Sequence, residues 1–132
     1  MKKKLFLSAL FVGLVISMGA APRGFWQLYI SGPDTRCDMD SRTSGTWTIE
    51  DTYGDPVDPN NQYEWFINDY EAQQEGYPAW SFGRSTGMTT RSLTTSFSWG
   101  DGGSELDQVT LTCKITSNGE TRYEGLVISN CY

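Results

Sequence analysis

The side chains of this chain that could do chemistry are carboxylates, three thiols and a large set of aromatic rings; histidine does not occur among its 132 residues. Without imidazole, Ser-His-Asp triads, His-ligated zinc and imidazole general bases are excluded. Paired carboxylates could still hydrolyse a glycoside. The acids, however, are scattered through loop-like segments, and no spacing sets two of them across a cleft. Cys113 lies mid-way along an alternating apolar run with no base to activate it, so it reads as a core side chain and not a nucleophile. The chain is therefore expected not to be an enzyme.

The chemistry that is left is binding. Asp51, Asp55 and Asp58, with Asn60 and Asn61, concentrate hard oxygen ligands in one loop, as Asp34, Asp38 and Asp40 do near an earlier turn. Calcium takes six to eight such oxygens. The order and terminal glutamate of an EF-hand are missing, so these read as polar loops kept soluble by acids and no cofactor is expected, with calcium at Asp51, Asp55 and Asp58 as the alternative. Aromatic residues make up 14% of the chain, more than a small core readily absorbs. Sandwich cores and cross-strand pairs consume many of them. Trp26, Trp47, Tyr53, Trp80 and Tyr77 are the rings expected in excess of the core, and Tyr77, Trp80, Trp26 and Tyr53 are the candidates on which a ligand could stack, with Tyr77-Pro78-Ala79-Trp80 the first segment to test.

Charge and the N-terminus narrow the partners. Lys2-Lys3-Lys4 precedes an apolar run from Leu5 to Met18, the pattern of a secretory signal peptide, with small residues at Gly19, Ala20 and Ala21 where a peptidase would cut. The apolar run is shorter than the roughly 20 residues a membrane-crossing helix needs. Residues 1–20 are accordingly expected to be a signal peptide and 21–132 a single exported domain, periplasmic or extracellular, with no membrane span after cleavage. Loss of the three lysines leaves seven basic residues against 16 acids, and the formal charge falls from −6 to −9. Such a surface repels phosphate and argues against nucleic acid.

The elements that must position these residues are strands. After Ala20 no segment repeats apolar residues at helical spacing, while Thr, Tyr, Trp, Val and Ile are frequent. Val109, Leu111, Cys113 and Ile115 alternate with polar residues over 108–116, and Asn118-Gly119 supplies the two positive-φ positions of a type I′ hairpin. A return strand is expected over 121–129, with a bulge near Gly125. Further strands are expected at 24–31, 46–52, 62–68, 79–82 and 92–99. Residues 69–77 should form a short helical turn or an irregular loop. About seven short strands in some 110 residues match an antiparallel β-sandwich.

Several motifs in order carry a family resemblance: Ile30-Ser31-Gly32-Pro33 with Cys37, Tyr63-Glu64-Trp65, Ser96-Phe97-Ser98-Trp99-Gly100-Asp101-Gly102, and Val109-Thr110-Leu111-Thr112-Cys113 through Asn118-Gly119. Over 25–129 the chain resembles the PKD-like and immunoglobulin-like modules of secreted Bacteroidetes proteins. The resemblance implies an all-β, immunoglobulin-like sandwich. It also implies spacer, adhesion or binding roles, and a structural role for the Trp99-Gly100-Asp101-Gly102 turn. A fold of this kind does not itself assign a function.

Export would place Cys37, Cys113 and Cys131 where one disulfide can form. With the turn at Asn118-Gly119, Cys113 falls opposite Glu124, and Cys131 lies seven residues further along the strand, roughly 23 Å away. That is far beyond the ~7 Å limit between bridged Cα atoms. In a sandwich the first connection and the end of the last strand share a pole, which favours Cys37–Cys131, with Cys37–Cys113 as the immunoglobulin-style alternative. The expectation overall is a non-enzymatic exported module acting by adhesion or protein binding. A small carbohydrate-binding domain is the alternative, and the partner in either case is a protein or glycan at the cell surface.

Overall fold

The computed structural model describes residues 25–36, 42–100 and 108–130. The proposed signal peptide, Cys37, Asp38, Asp40 and Cys131 lie outside the described residues. A 3₁₀ turn, Phe25–Gln27, leads into β1 (Leu28–Ser31), β2 (Thr35–Arg36), β3 (Arg42–Asp51) and β4 (Gln62–Asn68). After the short helix α1 (Tyr70–Gln74) come β5 (Arg84–Ser85), β6 (Ser92–Ser98), β7 (Gln108–Ser117) and β8 (Glu120–Asn130). One sheet has the order β1-β3-β6 and the other β2-β8-β7-β4-β5. Neighbours are antiparallel except β2, which runs parallel to the end of β8.

The first extended segment thus divides between the sheets: β1 pairs with β3, and β2 crosses to β8. The architecture is an all-β, immunoglobulin-like sandwich. Trp65 holds the position of the core tryptophan on the third strand of that fold. The hairpin forms in the expected register, with Cys113 opposite Glu124 and Asn118 and Gly119 at φ 51° and 81°. Pairing is unbroken from Ser117↔Glu120 to Gln108↔Ser129, so the bulge expected at Gly125 does not occur. The apolar run Leu126-Val127-Ile128 needs none, because Val127 simply faces outward. The expected strand at 79–82 is also absent: Asn68 draws the backbone of that segment into a loop, and the edge strand forms at Arg84–Ser85.

The core lies between the sheets. Leu28, Ile30, Trp47, Ile49, Leu93 and Phe97 come from one sheet, and Trp65, Ile67, Val109, Leu111, Ile115 and Ile128 from the other. Burying a tryptophan also buries an N–H, which needs a partner. Each core tryptophan has one: Trp47 Nε1 donates to Pro33 O (2.9 Å), Trp65 Nε1 to Thr90 O (2.7 Å) and Trp99 Nε1 to Thr43 Oγ1 (2.7 Å). These bonds tie loops and the end of β6 onto the apolar interior.

Cys113 is fully buried and faces Trp65 across the β4–β7 ladder. It is a free thiol, so the immunoglobulin-style pairing with Cys37 is not made, and the corresponding strand β3 carries Trp47 and Ile49 in the core. Burial pushes the Cys113 thiol up to about 12, so it stays protonated in the fold well above the pH at which an unfolded thiol ionises. Its contribution to stability is full below that unfolded value of 9.0 and is lost as pH climbs toward 12. A Cys37→Ser, Cys131→Ser variant at pH 8 should leave Cys113 unlabelled by iodoacetamide while folded and label it at once in guanidinium. Fast labelling of the folded protein would contradict its burial.

Candidate functional site

The candidate residues divide between the two ends of the sandwich. Tyr77 and Trp80 sit on the loop after α1, at the end where β4 finishes. Trp26, Tyr53, Asp51, Asp55 and Asp58 sit at the other end, where β3 finishes and the β7–β8 turn lies. The seven residues of β4 run between these ends, roughly 20 Å at about 3.3 Å per residue. The four candidate rings therefore cannot form a single platform.

At the first end, two consecutive residues at the tip of β4 organise the loop. Asn68, on the outward row of the five-stranded sheet, donates from Nδ2 to Pro78 O and Ser81 O, both at 2.9 Å. Asp69 caps α1 by accepting from Ala72 N (2.9 Å) and, with its other oxygen, accepts from Ser98 N of the opposite sheet (3.0 Å) and from Arg84 (3.5 Å). A turn closes the segment, Ser81 N donating to Pro78 O. Gly83 then passes so close to β4 that an added Cβ would stand 2.1 Å from Ile67 O, and its φ of +84° is one that side chains resist.

This anchoring folds Phe82 over the outer face of the five-stranded sheet. Its ring stacks on Tyr123 of β8 (4.8 Å) and tilts against Phe66 of β4 (5.9 Å). It thereby spans the row Phe66, Thr112, Gly125, where the missing side chain at Gly125 leaves room. Thr112 beneath it is only 3% exposed although it faces outward. Phe82 and Tyr123 keep substantial exposed area, as does Val127 on the same face of β8, and Trp80, two residues before Phe82, is 87% exposed. Phe66, Phe82 and Tyr123 were not among the sequence candidates. The alternation of β4 and β8 marks Phe66 and Tyr123 as outward-facing, but nothing local in the sequence brings Phe82 to them.

At the second end, Thr52 N and Oγ1 both donate to Gln27 O (2.9 and 2.6 Å), and the exposed rings of Trp26 and Tyr53 lie one residue beyond this junction. Beside it opens a cavity of about 530 Å³ walled by Phe25, Leu28, Asp51, Val57, Asn61 and Ser117, with Asp55 and Asp58. Asp51 is buried, and its Oδ1 accepts from Tyr53 N (2.8 Å), while Asp58 Oδ1 accepts from Asn60 N (2.9 Å). These carboxylates shape the loop by bonding its own backbone. Among the described residues no three carboxylates or thiols converge closely enough to hold a metal ion, so Asp51, Asp55 and Asp58 share a cavity wall without forming a calcium cage.

No family model, curated protein or solved structure matches this chain. The geometry is then the available guide to function. If Asn68 holds the loop, Asn68→Ala should lower stability by about 1–3 kcal/mol. It should also speed amide hydrogen exchange at 78–83 far more than in β7, a contrast measurable by exchange mass spectrometry.

Proposed function

We propose that the chain is an exported, non-enzymatic binding module that works by adhesion or protein binding, using the aromatic surface at the end of β4. The observation that carries this reading is Trp80, an almost fully exposed indole on a loop tied down by Asn68 and Asp69, beside the Phe82–Tyr123 stack. A contiguous group of exposed apolar rings, unlike a lone one, marks a contact surface. Holding it on a rigid loop lowers the ordering cost of association. The stack favours a protein over a sugar, because Phe82 and Tyr123 cover one another's faces and offer their edges. Absence of histidine, and commitment of the buried Asp69 carboxylate to structural bonds, support the non-enzymatic part. Kinship with PKD-like modules belongs to the same proposal, supported by Trp99-Gly100 at the end of β6 and by the strand order.

The second reading, a small carbohydrate-binding domain, draws on the opposite end, where Trp26 and Tyr53 are 67% and 73% exposed beside a polar cavity. The two readings separate in one experiment. Fluorescently labelled mature protein should bind cells of the producing strain saturably, and protease treatment of the cells should abolish binding. Trp80→Ala should weaken it by about 10-fold or more, as for a central aromatic at an interface. Binding that resists protease, is lost on periodate oxidation of glycans and depends on Trp26 and not Trp80 would replace this reading with the carbohydrate one.

Export and the disulfide also belong to the proposal. The parallel ladder pairs Thr35 with Ser129 and Arg36 with Asn130, and in the sequence a cysteine follows each of the last pair, Cys37 and Cys131. Adjacent strands stand about 4.8 Å apart, within the span of a disulfide. A Cys37–Cys131 bond would clip β2 to the end of β8. Titration of the exported protein in guanidinium should count one thiol per chain without reductant and three with it; three thiols without reductant would refute the bond.

A further inference from the structure

The cavity at the end opposite Trp80 has features the binding reading does not use. Its wall carries Asp51, Asp55 and Asp58 and no lysine or arginine. Arg122, the nearby cation, sits behind Phe25 and Trp26 and is spent on Phe25 O, Leu28 O and Glu124. Two further polar atoms in the wall have no partner. Ser117, 2% exposed, has an unbonded Oγ, and Asn61, whose side chain is bonded to Tyr63, has an unbonded Oδ1. A buried polar atom left unpaired costs free energy that a suitable ligand would return.

We propose that this cavity binds a primary ammonium group, supplied by a lysine side chain or by an amino sugar. An ammonium donates three hydrogen bonds and accepts none. The wall is rich in acceptors to meet it: Asn61 Oδ1, the Ser117 hydroxyl oxygen, and the carboxylate oxygens of Asp55 and Asp58, with the Gln27 side chain as a further polar group. The carboxylates are too dispersed to cage a metal ion, but an organic cation needs no such convergence. Phe25, Leu28 and Val57 give the same cavity apolar walls against which a methylene stem or the carbon face of a sugar can lie. Its volume is in the range of small-ligand pockets, about 300–1,000 Å³.

The test is a titration of the ¹⁵N-labelled mature chain, following backbone amide shifts. The probes are Nα-acetyl-lysine amide and glucosamine, with Nα-acetyl-norleucine amide, N-acetylglucosamine and calcium chloride as controls. Saturable shifts at Asp58, Asn61 and Ser117 are expected with the two amines and not with their uncharged counterparts, and the amine that saturates at the lower concentration identifies the source. Asp58→Asn and Ser117→Ala should each weaken binding several-fold with the fold intact, and Trp80→Ala should leave it unchanged, separating this site from the surface of the leading proposal. Equal shifts from norleucine amide or N-acetylglucosamine, saturation by calcium alone, or no shift at tens of millimolar amine would each overturn the assignment.

Discussion

A single buried carboxylate holds one end of this sandwich together. Asp69 is inaccessible to solvent, yet it starts α1, receives Ser98 N from the far sheet and faces Arg84. Burying a charge is costly unless it is paired and hydrogen-bonded, so every one of these partners must be in place whenever the chain is folded. The constraint is transmitted outward. Fixing α1 and Arg84 fixes both ends of the loop between them, and Asn68, the preceding residue, then pins the middle of that loop by its carbonyls. Trp80 and Phe82 are where they are because two adjacent polar residues at the tip of β4 leave the loop no other path.

Period-two patterning made the strands legible. Leu93, Phe97, Val109, Leu111, Cys113 and Ile115 were readable as inward-facing from alternation alone, and Asn118-Gly119 fixed the pairing of β7 with β8 to the residue. The bulge expected at Gly125 fails for a local reason, Val127 facing outward; the other misreadings share a cause in tertiary contacts. Residues 79–82 have the composition of a strand, but their carbonyls are captured by Asn68. Residues 25–27 look extended but turn in a 3₁₀ helix beneath which Arg122 donates to Phe25 O. The parallel contact of β2 with β8 joins segments more than ninety residues apart and has no local signature.

The candidate site was legible by residue type and not by position. Trp26, Tyr53, Tyr77 and Trp80 are exposed as their number and the size of the core suggested, whereas Trp47, expected with them, is buried in the core; the separation of the exposed four onto two ends follows from the strand lengths and connections. Asp51, Asp55 and Asp58 do share a cavity, and the engagement of the Asp51 and Asp58 carboxylates with backbone amides of their own loop is a detail only geometry could supply. The result is a sandwich with an apolar aromatic surface at one end and an acidic cavity at the other.

Held by Asn68 and Asp69, the loop bearing Trp80 and Phe82 should be preformed in the free protein. Backbone ¹⁵N relaxation of the free protein tests this most directly. Order parameters for 78–83 near those of β4, about 0.85, are predicted; values below about 0.6 would mean a flexible loop that Asn68 and Asp69 do not hold, and would contradict the account.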